Sequence, residues 1–166
     1  MSTKENLAGA FAGESQANRK YLAFAKQAEV DGFPQVAKLF RAAAHAETIH
    51  AHAHLRAMGG IRKTTENLTE AIEGEGFEFQ HMYPPYLEEA QKEGDKMAEI
   101  SFRNALAVEE IHHVLYQKAA AAVNSGGDLA ARPVYVCEVC GNTVYDGAPD
   151  KCQVCGVPKE RFTLIN

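Results

Sequence analysis

The chain has little of what would direct it to a membrane or to nucleic acid. No uninterrupted apolar run approaches the ~20 residues needed to span a bilayer, and Met1-Ser2-Thr3-Lys4-Glu5 lacks the apolar stretch of a secretory signal. A cytoplasmic location is therefore expected. There is no basic excess either. With a formal net charge of -5, nucleic acid is a poor main partner. Cysteine is absent from the first 136 residues and then occurs four times between Cys137 and Cys155. Two Cys-x-x-Cys pairs in a reducing compartment read as metal ligands rather than as disulfides.

With 166 residues, 46% of them hydrophobic, the chain can build one good core plus a small appendage. Residues 3–123 read as helical almost throughout. Ser2-x-x-Glu5 is a capping box for the first helix. Its stripe runs Leu7, Phe11, Glu14, Asn18, Tyr21, Ala25, Ala28 up to the turn Asp31-Gly32-Phe33-Pro34. The second helix carries Val36, Phe40, Ala43, Glu47, His50, Ala51 and His54, and stops at Gly59-Gly60. A third starts at Thr64 or Thr65 with Leu68, Ile72, Glu75, Glu78/Phe79 and Met82. Pro84-Pro85 must bend or restart it. After Gly94-Asp95, the fourth presents Phe102, Ala105, Leu106, Glu109, His112/His113 and Tyr116.

Four helices of about 25 residues on short loops favour a bundle with antiparallel neighbours. The domains expected are a four-helix bundle over residues 1–123, a linker at 124–133, and a small β-like module at 134–166. The module contains Val134-Tyr135-Val136 and Phe162-Thr163-Leu164-Ile165. A piece of this size needs a staple.

Glu47-x-x-His50 and Glu109-x-x-His112 each set a carboxylate and an imidazole on one helical face. Together with Glu14 and Glu75 on the other two helices they make the ligand list of a carboxylate-bridged two-metal site. These glutamates interrupt apolar stripes, where unpaired carboxylates would be costly and metal cations would offset the cost. Glu110-x-x-His113 offers a second register, but Glu110 shares its face with Arg103, Ala107 and Gln117. Glu109 and His112 are therefore preferred. Glu78 is a surplus carboxylate, suited to ligand exchange or to supporting a ligand. His45, His52, His54, His81 and His113 read as ordinary surface or supporting groups. The mixed donor set suits iron or manganese. Cys137, Cys140, Cys152 and Cys155 form two matching knuckles for one tetrahedral ion, zinc or iron. A redox pair in the bundle favours iron there.

In Gly13-Glu14-Ser15, Ala46-Glu47-Thr48-Ile49-His50, Gly74-Glu75-Gly76-Phe77-Glu78, Met82-Tyr83-Pro84, Val108-Glu109-Glu110-Ile111-His112 and both knuckles, the chain resembles the rubrerythrins over nearly its full length. The resemblance implies a mainly α fold: a ferritin-like bundle followed by a small β-rich rubredoxin-like domain. It implies Glu14, Glu47, Glu75, Glu109 and His112 as di-iron ligands, with Glu78 and His50 alternating on one iron as its oxidation state changes. Tyr21 and Tyr83 match tyrosines that hydrogen-bond ligating glutamates. The implied activity is reduction of hydrogen peroxide to water, with electrons relayed through the four-cysteine iron from rubredoxin or an NAD(P)H-dependent reductase. A dimer-based homo-oligomer is implied as well. The alternatives are oxygen reduction or ferrous-iron oxidation within the ferritin-like class, and, outside it, a zinc-ribbon interaction module on a structural bundle.

Overall fold

Helix formation begins where the capping box predicts. In the computed structural model, which describes residues 2–166 and leaves Met1 outside, Ser2 caps α1 (Thr3–Val30). The Ser2 amide donates to Glu5 Oε2 at 2.5 Å and the Glu5 amide donates to Ser2 Oγ at 3.3 Å. Gly32 takes φ 81° in the turn, a conformation that costs a glycine nothing. α2 (Pro34–Ala57) follows with its proline in the first turn, where no amide hydrogen is needed. The helices run antiparallel. Their contact is lined by small residues (Ala25, Ala28, Ala37, Ala44 and Ala51 are all buried), so the backbones approach closely. Asn18 crosses the seam, donating from Nδ2 to the Ala44 carbonyl at 2.6 Å and to Thr48 Oγ1 at 2.8 Å. Val36, assigned to the apolar stripe from its spacing, is 45% exposed. Its neighbour Ala37 is the residue that enters the seam, so the buried face passes one position further along the chain.

The chain divides into two compact units, the first ending at Arg62 and the second being Lys63–Asn166. In the second unit, α3 (Thr64–Phe77) passes through a π-helical turn, Glu78–Met82, into α4 (Tyr83–Glu93). The expected third helix is thus one near-continuous rod with a wide turn rather than a broken one. Pro84 and Pro85 cannot donate to the turn before them, and the Tyr83 amide reaches Glu78 O, five residues back. Gly94, at φ 74°, ends α4, and Asp95 caps α5 (Lys96–Asn124), accepting from the Met97 and Ala98 amides at 3.0 Å. α5 runs one residue into the stretch expected as linker. Tyr116, on its predicted stripe, is 38% exposed.

Gly76 lies against α5 so tightly that an added Cβ would meet the His113 ring at 3.2 Å. His113 uses both ring nitrogens there: Nδ1 donates to the Ile72 carbonyl at 2.9 Å, and Nε2 accepts from Gln117 at 2.8 Å.

The C-terminal part is a three-stranded antiparallel sheet in the order β2-β1-β3: β1 (Val134–Cys137), β2 (Thr143–Tyr145) and β3 (Phe162–Ile165). Val134 faces Tyr145 on one side and Ile165 on the other. The sequence pattern gives β1 and β3. β2 has three residues, too few for an alternation to register. Arg132 anchors the approach to the sheet, donating from Nε to Asp146 Oδ1 at 2.9 Å and lying 5.3 Å over the Tyr145 ring. Among the described residues no helix is long and apolar enough to cross a membrane.

Candidate metal centres

The predicted ligands come together in three groups. In the first unit, Glu14 of α1 meets Glu47 and His50 of α2, with donor atoms all within 4.8 Å of one another. His50 Nδ1 lies 3.0 Å from Glu47 Oε2 and 4.0 Å from Glu14 Oε1. The i, i+3 spacing on α2 makes the first contact, and the antiparallel seam brings in the second. Tyr21, one turn beyond Asn18, packs its ring against Phe24 and Phe40 at centroid distances of 6.4 and 6.1 Å.

The second group belongs to the second unit: Glu75 of α3 with Glu109 and His112 of α5, again within 4.8 Å. His112 Nδ1 is 2.9 Å from Glu109 Oε2. Burial pushes the Glu75 carboxyl up from 4.5 to about 7, helped by its hydrogen bond with Glu109 and by the charges of Glu109 and Glu78. Glu78, at the head of the π turn, is also raised by burial and by Glu109. Burial raises the Tyr83 phenol, and Glu78, Glu109 and Glu75 raise it further. Its ring also touches Tyr86 and Phe102. Three glutamates and a tyrosine thus share a half-buried space that has more negative charge than it can hold unaided. A divalent cation would resolve this, so the donor set fits a metal.

The competing register is less well placed. Glu110 is exposed, and the His113 nitrogens are occupied by the Ile72 carbonyl of α3 and by Gln117 one turn along α5.

The metal-free protein should carry the mark of this crowding. The folded Glu75 binds its proton more tightly than the unfolded chain does. The stabilisation it contributes is therefore complete below pH 4.5 and is lost as pH rises through about 7. Its partial exposure keeps the effect to about 1 kcal/mol. Urea denaturation of the metal-free chain is expected to give a falling midpoint over that window, and Glu75→Gln to flatten it. An unchanged slope in Glu75→Gln would count against this origin.

The third group is the four cysteines. Cys137 Sγ lies 3.7 Å from Cys155 Sγ and Cys140 Sγ 3.6 Å from Cys152 Sγ. These separations are far too long for disulfides. They approach the ~3.8 Å edge of a tetrahedron of sulfurs ~2.3 Å from a central ion. Burial raises the Cys140 and Cys155 thiols. At Cys152 burial acts the same way, but the Cys155 and Val154 amides, Asn142 and Cys140 outweigh it and hold the thiol at about 6. Asn142, almost fully buried, donates to Cys152 Sγ at 3.6 Å. Sequence reasoning missed both Asn142 and its neighbour Thr143, whose hydroxyl reaches His112. Neither position has a composition or spacing that marks it.

Comparison with known proteins agrees with these donor sets. Residues 5–120 match the family model for rubrerythrin, and residues 135–163 match the rubredoxin-like domain of rubrerythrin. The chain is 37% identical to rubrerythrin-2 of Clostridium acetobutylicum, covering 96% of this chain and 95% of that protein. It is 35% identical to nigerythrin of Nitratidesulfovibrio vulgaris, over 98% and 86% respectively. Among solved structures, mixed-valence nigerythrin is similar, with a TM-score of 0.56 and 32% identity over 99% of this chain and 87% of that one. The fully reduced, all-ferrous form is similar to the same degree, at 33% identity. The family carries a di-iron site and a rubredoxin-like iron site, and its members are oxidoreductases, generally oxidative-stress proteins with peroxidase activity. From the two matched segments and the full-length relatives, the chain belongs to the rubrerythrin family.

Proposed function

We propose that this chain reduces hydrogen peroxide to water at a di-iron site, fed with electrons through its own four-cysteine iron. The observation that carries the reading is the Glu75–Glu109–His112 group, in which Glu75 is driven up to about 7 by burial and by its acidic neighbours, in the same compact unit as a tetrahedral set of thiols. Residues 1–123 would be the di-iron domain, 124–133 the linker and 134–166 the electron-entry domain. Glu14, Glu47, His50, Glu75, Glu109 and His112 would hold the two irons, with Glu78 exchanging against His50. When bound, the metals would supply two electrons for the O–O bond and act as Lewis acids toward its oxygens. The chain's part is protonic. Tyr83, raised by burial and by its carboxylates, keeps its phenol hydrogen at neutral pH. It would donate a proton where the peroxide oxygens leave.

Rubredoxin or an NAD(P)H-dependent reductase would be the donor, and the cytoplasm the location, since paired cysteines serve as metal ligands in a reducing compartment. A dimer-based homo-oligomer would cover large apolar side chains that lie open here, such as Leu39 at 69% and Met97 at 79% exposure. The test is anaerobic purification, metal analysis and mixing of the reduced protein with peroxide or with dioxygen. Two irons on carboxylates and one on thiolates, oxidised faster by peroxide, is the expected outcome. Faster oxidation by dioxygen would replace the reading with oxygen reduction or ferrous-iron oxidation, and zinc at the cysteines would remove the relay.

A further inference from the structure

Thr143 opens β2, two residues past the Cys140-Gly141 knuckle, and its hydroxyl oxygen lies 3.0 Å from His112 Nε2 on α5. The same hydroxyl lies 3.1 Å from the Gly141 carbonyl. A carbonyl can only accept, so the hydroxyl hydrogen goes to Gly141. The hydroxyl oxygen must then accept from His112, which puts a hydrogen on Nε2. A neutral imidazole with Nε2–H carries its lone pair on Nδ1. That atom is on the carboxylate side, 2.9 Å from Glu109 Oε2. Two acceptors facing each other at that distance call for a cation or a proton between them.

The knuckle is seated on α5 around this bond. A Cβ at Gly141 would touch Val108 Cγ1 at 3.6 Å, and Val108 is buried. The Gly141 amide donates to the Cys137 carbonyl at 2.9 Å. A continuous path of covalent and hydrogen bonds therefore runs from the cysteines through Gly141 and Thr143 to His112, all in one chain and one compact unit.

We propose that Thr143 is a positioning residue that fixes His112 to ligate through Nδ1 and couples the four-cysteine site to the Glu75–Glu109–His112 group of its own chain. This rests on the reading of those three residues as metal ligands. In each passage one electron leaves a ferrous ion at the cysteines, which becomes ferric, and reduces one ferric ion at the carboxylates to ferrous. No bond forms or breaks, and two passages recharge the pair.

Thr143→Val keeps the shape and removes both hydrogen bonds. Wild-type metal-free protein should show His112 as the Nε2–H tautomer in long-range 1H–15N spectra, and Thr143→Val should lose that preference. Binding of Co2+ to the carboxylate groups should weaken about 10-fold, the usual cost of losing a hydrogen bond behind a ligating histidine. In stopped flow after peroxide, oxidation of the cysteine iron should slow by a similar factor while its absorption spectrum stays unchanged. Thr143→Ser should restore all three. An Nδ1–H tautomer in the wild type, or full Co2+ affinity and full rate in Thr143→Val, would overturn the proposal.

Two controls separate it from the reading beneath it. If Glu109→Ala leaves Co2+ binding intact, the ligand assignment itself fails; if Glu109→Ala abolishes binding while Thr143→Val does nothing, only the role of Thr143 fails. Mixed assemblies of Cys137→Ser and Glu109→Ala chains are expected not to recover fast oxidation of the cysteine iron. Recovery would show that the electrons cross between chains.

Discussion

Cys152→Ser is expected to unfold the C-terminal sheet while leaving the helices in place. The reason is that the sheet has almost no core other than its ligands. Its strands have four, three and four residues. The buried residues from Val134 onward are Cys137, Cys152 and Asn142, two of them thiols and the third a donor to a thiol. Val134, Val136, Val144, Val154 and Val157 are only partly buried, and Leu164 and Ile165 lie open. Area burial on that scale cannot offset ~1 kcal/mol or more of backbone entropy for each of some thirty residues. An ion held by four thiolates adds what is missing to that burial, since structural zinc contributes about 10–16 kcal/mol in small peptides. Without it the four thiols do not replace the bond. One holds its proton loosely, at about 6, while burial makes two others cling to theirs.

Amide exchange is the measurement. The strand-pairing amides of Tyr135, Val144 and Thr163 should lose protection in Cys152→Ser or after chelation, while those of α1 and α5 keep theirs. A variant whose sheet stays protected would show that packing, not metal, holds the module together.

How much of this was legible in the sequence follows from the range of the interactions involved. Ser2-x-x-Glu5 and the glycine stops act over three or four residues, and the structure has them where the pattern puts them, while Pro34, read as the end of a turn, opens α2. Glu47-x-x-His50 and Glu109-x-x-His112 are likewise one-turn relations, and each histidine does meet its glutamate. The preference for Glu109 over Glu110 rested on the polarity of a helix face, and Glu110 is the more exposed of the two. The π turn was not legible as such. Pro84-Pro85 announced a fault, but whether a helix kinks, stops or widens depends on what the freed carbonyls find nearby. Asn142 and Thr143 were invisible for another reason. Thr143 touches His112 across 31 positions of sequence, and a threonine at the head of a three-residue strand looks like any other. Val36 shows the limit of a stripe read from spacing: a 3.6-residue period places a face only to within a residue, and it is the adjacent Ala37 that is buried.

Glu109→Ala should abolish metal binding at the carboxylates and lower peroxide turnover by more than about 100-fold, yet leave the metal-free fold at least as stable at neutral pH. The two effects have opposite sign because Glu109 does opposite things in the two forms. Without metal it is a source of strain, hydrogen-bonding Glu75 and adding its charge there, and adding charge at Glu78 and Tyr83 as well. Its loss lets the Glu75 pKa fall from about 7 toward 4.5, so the decline in stability between those pH values should shrink. With metal, the same carboxylate would be a ligand beside Glu75 and His112, and no neighbour is placed to substitute for it. Glu110 points to solvent, and His113 is held by the Ile72 carbonyl and Gln117. Glu110→Ala is therefore the control and should bind metal like the wild type. A structural role for Glu109 would instead lower stability with and without metal. Titration calorimetry with Co2+ alongside urea denaturation of the metal-free chain distinguishes the two, because only a ligand gives lost affinity together with unchanged or increased stability. Equal damage from Glu110→Ala would overturn the assignment of the register.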